Sequence, residues 1–310
     1  MAKLTRRQLI VVAAESTYNT DATPAGTDAV LVRNIDFTPI QADTVSRDLI
    51  RDYLGNSDQL LGNSRVELSF EVEFAGSGTA GTAPKYDALL KSCGMASTVV
   101  ASTSVTYAPV STSFGSSTIY VFADGIRHKM TGCRGTFAIN ASVGEIPVIN
   151  FTMTGNYVAP TDTASPSTTY SNQETPDIFK AGNTTSLTVL SYAASLESFS
   201  FDIANEVVFR ELVGSTKSVT ITNRAPAGEC VIEAPTLAQK DYFTIANTDA
   251  TGSISFQHGQ DAGNIITFTA SKCDIGNPTY SDSDGIMMLN LPYVAVPGSS
   301  GNDEVSLAYT

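Results

Sequence analysis

Residues 65–74 alternate between apolar and polar side chains without interruption. One set comprises Val66, Leu68, Phe70, Val72 and Phe74, and the other comprises Arg65, Glu67, Ser69, Glu71 and Glu73. A period of two over this length predicts a strand with one buried face and one solvated face. Antiparallel sheets are the usual setting for such strands, because parallel sheets are covered on both faces. The segment therefore favours a mainly β fold.

Further strand patterns recur along the chain, whereas helix patterns are few. The strand candidates are 117–122, 134–142, 149–154, 198–203, 218–222, 229–234, 253–257, 264–270 and 286–294. Pro84 precedes a short helical pattern, 85–93, and Pro235 precedes a weaker one, 237–243. These patterns predict two β-sandwich or barrel domains, each with one short α-helix.

Composition narrows the class of protein. The chain has 310 residues, 42% of them hydrophobic, and a net charge of −13. Such an acidic chain repels nucleic-acid phosphates and does not wrap them electrostatically. No apolar run approaches the roughly 18 residues of a membrane span, so we expect no membrane insertion.

A stretch rich in Ser, Thr and Pro divides the chain. We predict an N-terminal arm (1–27), a first β domain (28–159), a linker (160–186), a second β domain (187–297) and a C-terminal tail (298–310). The arm, linker and tail are predicted to be loosely ordered. Both domains close similarly, at Ile149–Pro160 and at Met287–Pro297, which indicates a tandem duplication.

The cysteines and the N-terminus indicate a cytoplasmic site of synthesis. Cys93, Cys133, Cys230 and Cys273 lie far apart, unlike the dense disulfide framework of a small secreted domain, so we expect free thiols. The apolar run Leu9–Ala14 follows basic residues but is shorter than a signal-peptide core.

Several motifs resemble parts of known binding or catalytic sites, but the residues around them do not support such a site. Gly76–Gly81 matches G-x-G-x-x-G, yet the acidic residue required to hold a ribose is missing at the expected distance, so a flexible connection is preferred. Asp282–Gly285 lacks the first and last ligands of a calcium loop and is interpreted as a β-turn. His128 and His258 are predicted to lie in hairpin turns, in matching positions of the two domains.

The chain shows no catalytic constellation, and we expect no enzyme activity, no cofactor and no metal site. Cys133 and Cys273 are interpreted as small buried residues in equivalent positions. A pair of carboxylates suited to a glycoside hydrolase stays an open alternative, because the sequence does not reveal the distance between two carboxyl groups.

Two charged excursions, 40–63 and 204–226, carry many apolar residues that should be buried against something. Each could pack on its own domain, but the mixed charges favour contacts with another subunit. The candidate inter-subunit residues are Val45, Arg47, Leu49, Arg51, Tyr53, Leu54, Val208, Phe209, Arg210, Glu211 and Leu212.

The run from Leu196 to Pro235 resembles the tail tube (major tail) proteins of long-tailed bacteriophages, through Ser198–Glu206 and Ile221–Pro226. The closing strands 264–270 and 286–293 are also similar, and segments 34–74 and 117–158 resemble the same fold more loosely.

The resemblance implies a structural virion protein that forms stacked rings, contacts other tail proteins and lets genomic DNA pass without specific binding. Since rings of this family generally hold six copies of the fold, a duplicated chain implies a trimeric ring with pseudo-sixfold symmetry. A ring of six chains is the alternative, with the second domain as an outward decoration. A cell-surface or secreted adhesin or sugar-binding sandwich is the rival function.

Overall fold

The computed structural model describes residues 3–310, and within them the fold is mainly β, as predicted. The first half contains β1 (Gln8–Ala14), β2 (Ala29–Val30), β3 (Arg33–Ser46), β4 (Gln59–Glu73), β5 (Met95–Val100), β6 (Ser104–Pro109), β7 (Ser117–Ala123), β8 (Ile126–Ser142) and β9 (Val148–Asp162). The second contains β10 (Thr184–Val189), β11 (Leu196–Asp202), β12 (Asn205–Arg210), β13 (Ser218–Arg224), β14 (Ala227–Glu233), β15 (Gly252–His258), β16 (Ile266–Ile275), β17 (Thr279–Ser283), β18 (Ile286–Ala295) and β19 (Ser306–Tyr309). The helices are α1 (Asp87–Ser92) and α2 (Tyr242–Asn247).

Eight strands form one antiparallel sheet that runs through both halves, which we call the long sheet. Its order is β3-β4-β9-β8-β11-β14-β18-β17. The joint between the halves is the pairing of β8 with β11, in which residues 138–142 lie opposite residues 202–198.

A second layer of strands covers the inner face of the long sheet. In the first half it contains β1 paired with β7, and in the second it runs β10-β15-β16-β19 and continues into β6 and β5. The alternating residues of β4 behave as predicted, because Val66, Leu68, Phe70 and Val72 are all buried. One apolar core extends through both halves.

The pairing pattern of the first half recurs in the second. The pairs β1–β7, β7–β8, β4–β9 and β8–β9 correspond to β10–β15, β15–β16, β14–β18 and β16–β18. Cys133 and Cys273 occupy matching places, each opposite the first residue of the preceding strand. The domain limits 28–159 and 187–297 stay a prediction.

The expectation of loosely ordered terminal segments is wrong for the described residues. In the predicted arm, of which residues 1 and 2 lie outside the described residues, β1 is a core strand with Ile10 and Val11 fully buried. In the predicted tail, β19 lies between β6 and β16, and Leu307 and Tyr309 are buried. Both segments are short and apolar, and their strand partners are distant in sequence.

Both predicted helices exist, but the second begins later than its pattern suggested. Helix α1 lies within the predicted segment and buries Leu89 and Leu90. Helix α2 begins at Tyr242 because the Asp241 side chain accepts a hydrogen bond from the Thr244 backbone N–H, at 2.9 Å, and caps the helix there.

Candidate functional site

The first excursion is a hairpin that projects from the long sheet. We call residues 40–63 hairpin one; it comprises the outer parts of β3 and β4 and the loop between them. Its exposed apolar side chains are Ile40, Val45, Leu49, Ile50, Tyr53, Leu54, Leu60 and Leu61. Ile50 and Leu54 are fully exposed. A contiguous apolar set of this kind on a protein surface is typical of a binding site.

The second excursion, residues 204–226, is also a hairpin, and we call it hairpin two. It consists of β12 and β13 and bends over the end of the first half. Val219 and Ile221 are buried there. The Val219 backbone N–H donates to the Tyr18 hydroxyl at 2.6 Å, and the Arg134 guanidinium donates to the Val219 carbonyl at 2.9 Å. Hairpin two therefore has a partner within its own chain.

A buried ion pair secures the base of hairpin two. Arg224 lies 2.9 Å from Glu304, and both side chains are largely buried. Arg224 also donates to the Val110 carbonyl at 2.8 Å, so one guanidinium joins hairpin two to both halves of the chain. In hairpin one, the Arg47–Asp58 pair is longer, at 3.5 Å, and exposed.

The structure separates the predicted contact residues into two groups with different surroundings. Residues 45, 47, 49, 51, 53 and 54 are all exposed on hairpin one. Val208 and Phe209 are half-buried in hairpin two, whereas Arg210, Glu211 and Leu212 are exposed near its tip. Their proposed role between subunits stays a prediction.

The glycine-rich motif 76–81 lies against residues 263–264 of the second half, at a contact between the halves that we call the seam. It is not the flexible connection that we expected. The Gly76 N–H donates to Asn264 Oδ1 at 2.7 Å, and the Gly78 N–H donates to the Gly263 carbonyl at 3.0 Å. A Cβ atom on Gly76 would lie 2.1 Å from the Gly263 oxygen, so only glycine allows this approach of two backbones.

The expectation of matching histidines is also wrong. His128 lies on β8, the second strand of its hairpin, whereas His258 lies on β15, the first strand of the corresponding hairpin. His258 is buried in the seam, against the rings of Phe74 and Phe179. This burial lowers the pKa of His258, although a hydrogen bond to the Asp177 carbonyl opposes the shift.

The other small motifs have structural roles, as predicted. Asp284 and Gly285 adopt positive φ angles in the tight turn between β17 and β18. All four cysteines are free and buried. Burial raises the pKa of the Cys273 thiol to about 12 and that of the other three further, so the thiols stay protonated.

The solvated face of the long sheet carries several acidic side chains, of which Glu67 and Glu71 are ion-paired with Arg65 and Arg33. Alternate residues of β4 and β14 point away from the core, and they include Glu67, Glu71, Glu73, Glu229 and Glu233. Asp36 on β3 lies opposite Ser69 of β4 and so shares this face. Asp202 on β11 also shares it, because its partner Ala227 is on the same side of β14 as Glu229.

Within residues 3–310, no group of three or more His, Cys, Asp or Glu side chains could hold a metal ion. Over the same range, every helix is too short or too polar to span a membrane.

Comparison with known proteins gives one informative match. A family model described as phage tail tube protein matches residues 5–295, nearly the whole chain. No curated protein sequence matches significantly.

Proposed function

This chain belongs to the phage tail tube protein family and is a structural component of the virion tail, and on that premise we propose that it assembles into rings that stack into a DNA-conducting tube. The observation that carries the proposal is the extent of the family match, which includes both halves of the molecule.

We propose that three chains form each ring. The strand pairings of the first half recur in the second, so one chain supplies two similar units of ring wall. In this proposal the two units begin at β1 and at β10. A contact whose rotation closes after three chains gives a ring with pseudo-sixfold symmetry.

Hairpin one is proposed to carry contacts between subunits, through Val45, Arg47, Leu49, Arg51, Tyr53 and Leu54. Its exposed apolar side chains support this role, because their burial against another chain would stabilise the assembly by about 25 cal/mol for each Å² of apolar surface removed from water. The exposed tip of hairpin two, Arg210–Leu212, is proposed to make a smaller contact of the same kind.

The acidic face of the long sheet is proposed to line the channel. Carboxylates on both halves, such as Glu73 and Glu233, would then face the DNA phosphates. Like charges repel, so DNA would pass along the wall without being held by it.

Electron microscopy of concentrated purified protein tests the proposal. We expect hollow rods, with end-view averages that show a ring of six units, and native mass spectrometry of the rings should give three chains. The variant Leu54→Ser should lose rods and remain folded, whereas Leu4→Ser, which changes an exposed leucine outside both hairpins, should assemble normally.

The outcomes separate the parts of the proposal. Six chains in each ring would refute the trimer but would not contradict the proposed tube. Rods from Leu54→Ser at the wild-type yield would argue against the role of hairpin one. A wild-type protein that remains monomeric at high concentration would overturn the function.

A further inference from the structure

A small cavity lies at the base of hairpin two. Its volume is about 260 Å³, and it is lined by Ser111, Phe114, Ile221, Thr222, Asn223, Arg224 and Glu304. These residues belong to β13, to the loop between β6 and β7, and to the segment just before β19. A ligand in this cavity would therefore contact segments that are distant in sequence.

Glu304 brings to this cavity a carboxylate oxygen that has no partner. The Glu304 side chain is only 6% exposed. Its Oε1 atom accepts hydrogen bonds from Arg224 Nε at 3.1 Å and from Arg224 Nη2 at 2.9 Å. Its Oε2 atom is buried and has no hydrogen-bond partner among the described residues. Since a buried acceptor without a donor is costly, a donor placed at Oε2 would be stabilising.

Arg224 is not available to satisfy that oxygen. Its other N–H groups are directed to Asn302 Oδ1 at 2.8 Å, to the Val110 carbonyl at 2.8 Å and to Ser111 Oγ at 3.5 Å. The guanidinium is thus engaged by other oxygens on all its nitrogens. The donor for Glu304 Oε2 therefore has to come from a ligand.

The other lining residues narrow the chemistry of this ligand. Ser111, Thr222 and Asn223 present further oxygen atoms, whereas Phe114 and Ile221 form an apolar wall. A divalent cation prefers several oxygen ligands and gains nothing from such a wall. An alkylammonium group uses both, because its N–H groups bond to oxygens, its charge is attracted to an aromatic ring and its methylenes pack on apolar side chains.

The charges around the cavity allow a cation to bind. Arg224 lies in the wall, and the Arg134 guanidinium lies 6.0 Å from the centroid of the aromatic ring in that wall. These positive charges are offset by Glu304 and by Glu206, which lies directly opposite Asn223 in hairpin two. The net charge of −13 on the chain adds a general attraction for cations.

We propose that this cavity binds a primary alkylammonium group, which donates an N–H to Glu304 Oε2 and lays its carbon chain against Phe114 and Ile221. The group belongs either to a free amine or to a lysine side chain of a second copy, and its chemistry is the same in both. Binding braces the base of hairpin two. The inference does not depend on the proposed ring assembly.

Calorimetric titration of the unassembled protein with putrescine, at constant ionic strength, tests the site. We expect binding in the millimolar range, because so small a ligand makes few contacts. Glu304→Gln should weaken binding by about tenfold or more, since a hydrogen bond to a charged group is lost. n-Butanol, which has a similar carbon chain but no charge, should not bind.

Two further variants control for folding and for general charge. Phe114→Leu removes the aromatic ring but keeps the Arg224–Glu304 pair, so it should fold and bind putrescine more weakly even if Glu304→Gln does not fold. Asp58→Asn removes an exposed carboxylate outside the cavity and should bind as the wild type does.

Several results would overturn the site. They are the absence of putrescine binding to the wild type, equal affinity in Phe114→Leu and in a folded Glu304→Gln, and equal binding of n-butanol. Displacement of putrescine by calcium chloride, but not by sodium chloride of the same ionic strength, would assign the cavity to a metal ion and also overturn the proposal.

The same titration on assembled protein distinguishes the two sources of the ammonium group. If a lysine of a second copy fills the cavity, putrescine binding should be lost on assembly. If a free amine is the ligand, assembled and unassembled protein should bind putrescine equally. Both results support the site, and neither affects the proposed tube.

Discussion

Hairpin one and hairpin two occupy corresponding places in the two halves, yet only hairpin two is packed against a partner. Hairpin two buries Val219 and Ile221 on the first half and is held by Arg224. Hairpin one projects into solvent with Ile50 and Leu54 fully exposed. The difference follows from chain connectivity, because the first half is tethered beside hairpin two, whereas no other described segment of the chain lies beside hairpin one.

Hairpin two corresponds to hairpin one in the repeated pairing pattern, so its contacts indicate which contacts hairpin one can make. Hairpin two has contacts that hairpin one lacks, and these contacts come from the neighbouring half. If the halves are repeated units of one wall, the missing contacts of hairpin one belong to the next chain. Hairpin two is therefore expected to stabilise the monomer, and hairpin one to serve assembly.

Shortening the hairpins should give the largest contrast. Replacing residues 45–60 with Asn-Gly leaves Thr44 opposite Leu61 across a tight two-residue turn. We expect a monomer of unchanged stability that forms no rods, because no described core residue is removed. Thermal unfolding and electron microscopy together provide the measurement.

The matched variant replaces residues 208–220 with Asn-Gly between Val207 and Ile221. It removes Val219 and its bonds to Tyr18 and Arg134, so we expect a loss of several kcal/mol in the free energy of unfolding. Equal stability of the two shortened proteins would contradict the distinction between the hairpins.

Breaking the ion pair of each hairpin should give a smaller contrast. Arg224→Met leaves the Glu304 carboxylate buried without its cation and should cost about 3 to 5 kcal/mol in unfolding free energy. Asp58→Asn removes the exposed pair of hairpin one and should cost about 0.5 kcal/mol or less. Urea unfolding of both variants measures the difference, and a large loss in Asp58→Asn would show that hairpin one is already packed in the monomer.

Weak acid should have the smallest effect on stability, through His258 in the seam between the halves. Burial lowers the pKa of His258 below its usual value of about 6.5, so the unfolded chain takes up a proton first as pH falls. Stability is therefore full above about pH 6.5 and declines as pH drops toward the folded pKa. His258→Gln should weaken this decline, as measured by urea unfolding at about pH 7.5 and about pH 5.5.

The pKa of His128 is also lowered by burial, so His128→Gln is the control that isolates the seam. If His258→Gln shows the full pH dependence of the wild type, the seam histidine does not set it. Assembly through hairpin one should be insensitive over this range, because residues 40–63 contain no histidine.

The main strands could be predicted from sequence because their pattern is local. Residues 65–74 show the alternation of β4, and Asp284–Gly285 has the chemistry of a tight turn. The strands β1 and β19 were not predicted, because they are short apolar segments whose partners, β7 and β16, are distant in sequence. Only the partner shows that such a segment is a strand.

The exposed residues of hairpin one could also be predicted. Charged and apolar side chains are mixed there and follow neither a helical nor a strand period. The contacts of hairpin two could not, because Tyr18 and Glu304 lie at opposite ends of the chain. The prediction of a flexible connection at the glycine-rich motif was wrong for a related reason. Gly76 suggests freedom when considered alone, but Gly263 on the other half makes it a site of close approach.

The covalent link between the halves has a consequence for the speed of assembly. In the proposed ring, every second wall joint is the β8–β11 pairing, which is complete before any two molecules meet. The two strands of this joint are held at a high effective concentration, so only half of the joints in the ring form by collision of separate chains. Duplication of the fold would thus lower the kinetic order of ring closure and deplete incomplete arcs at low protein concentration.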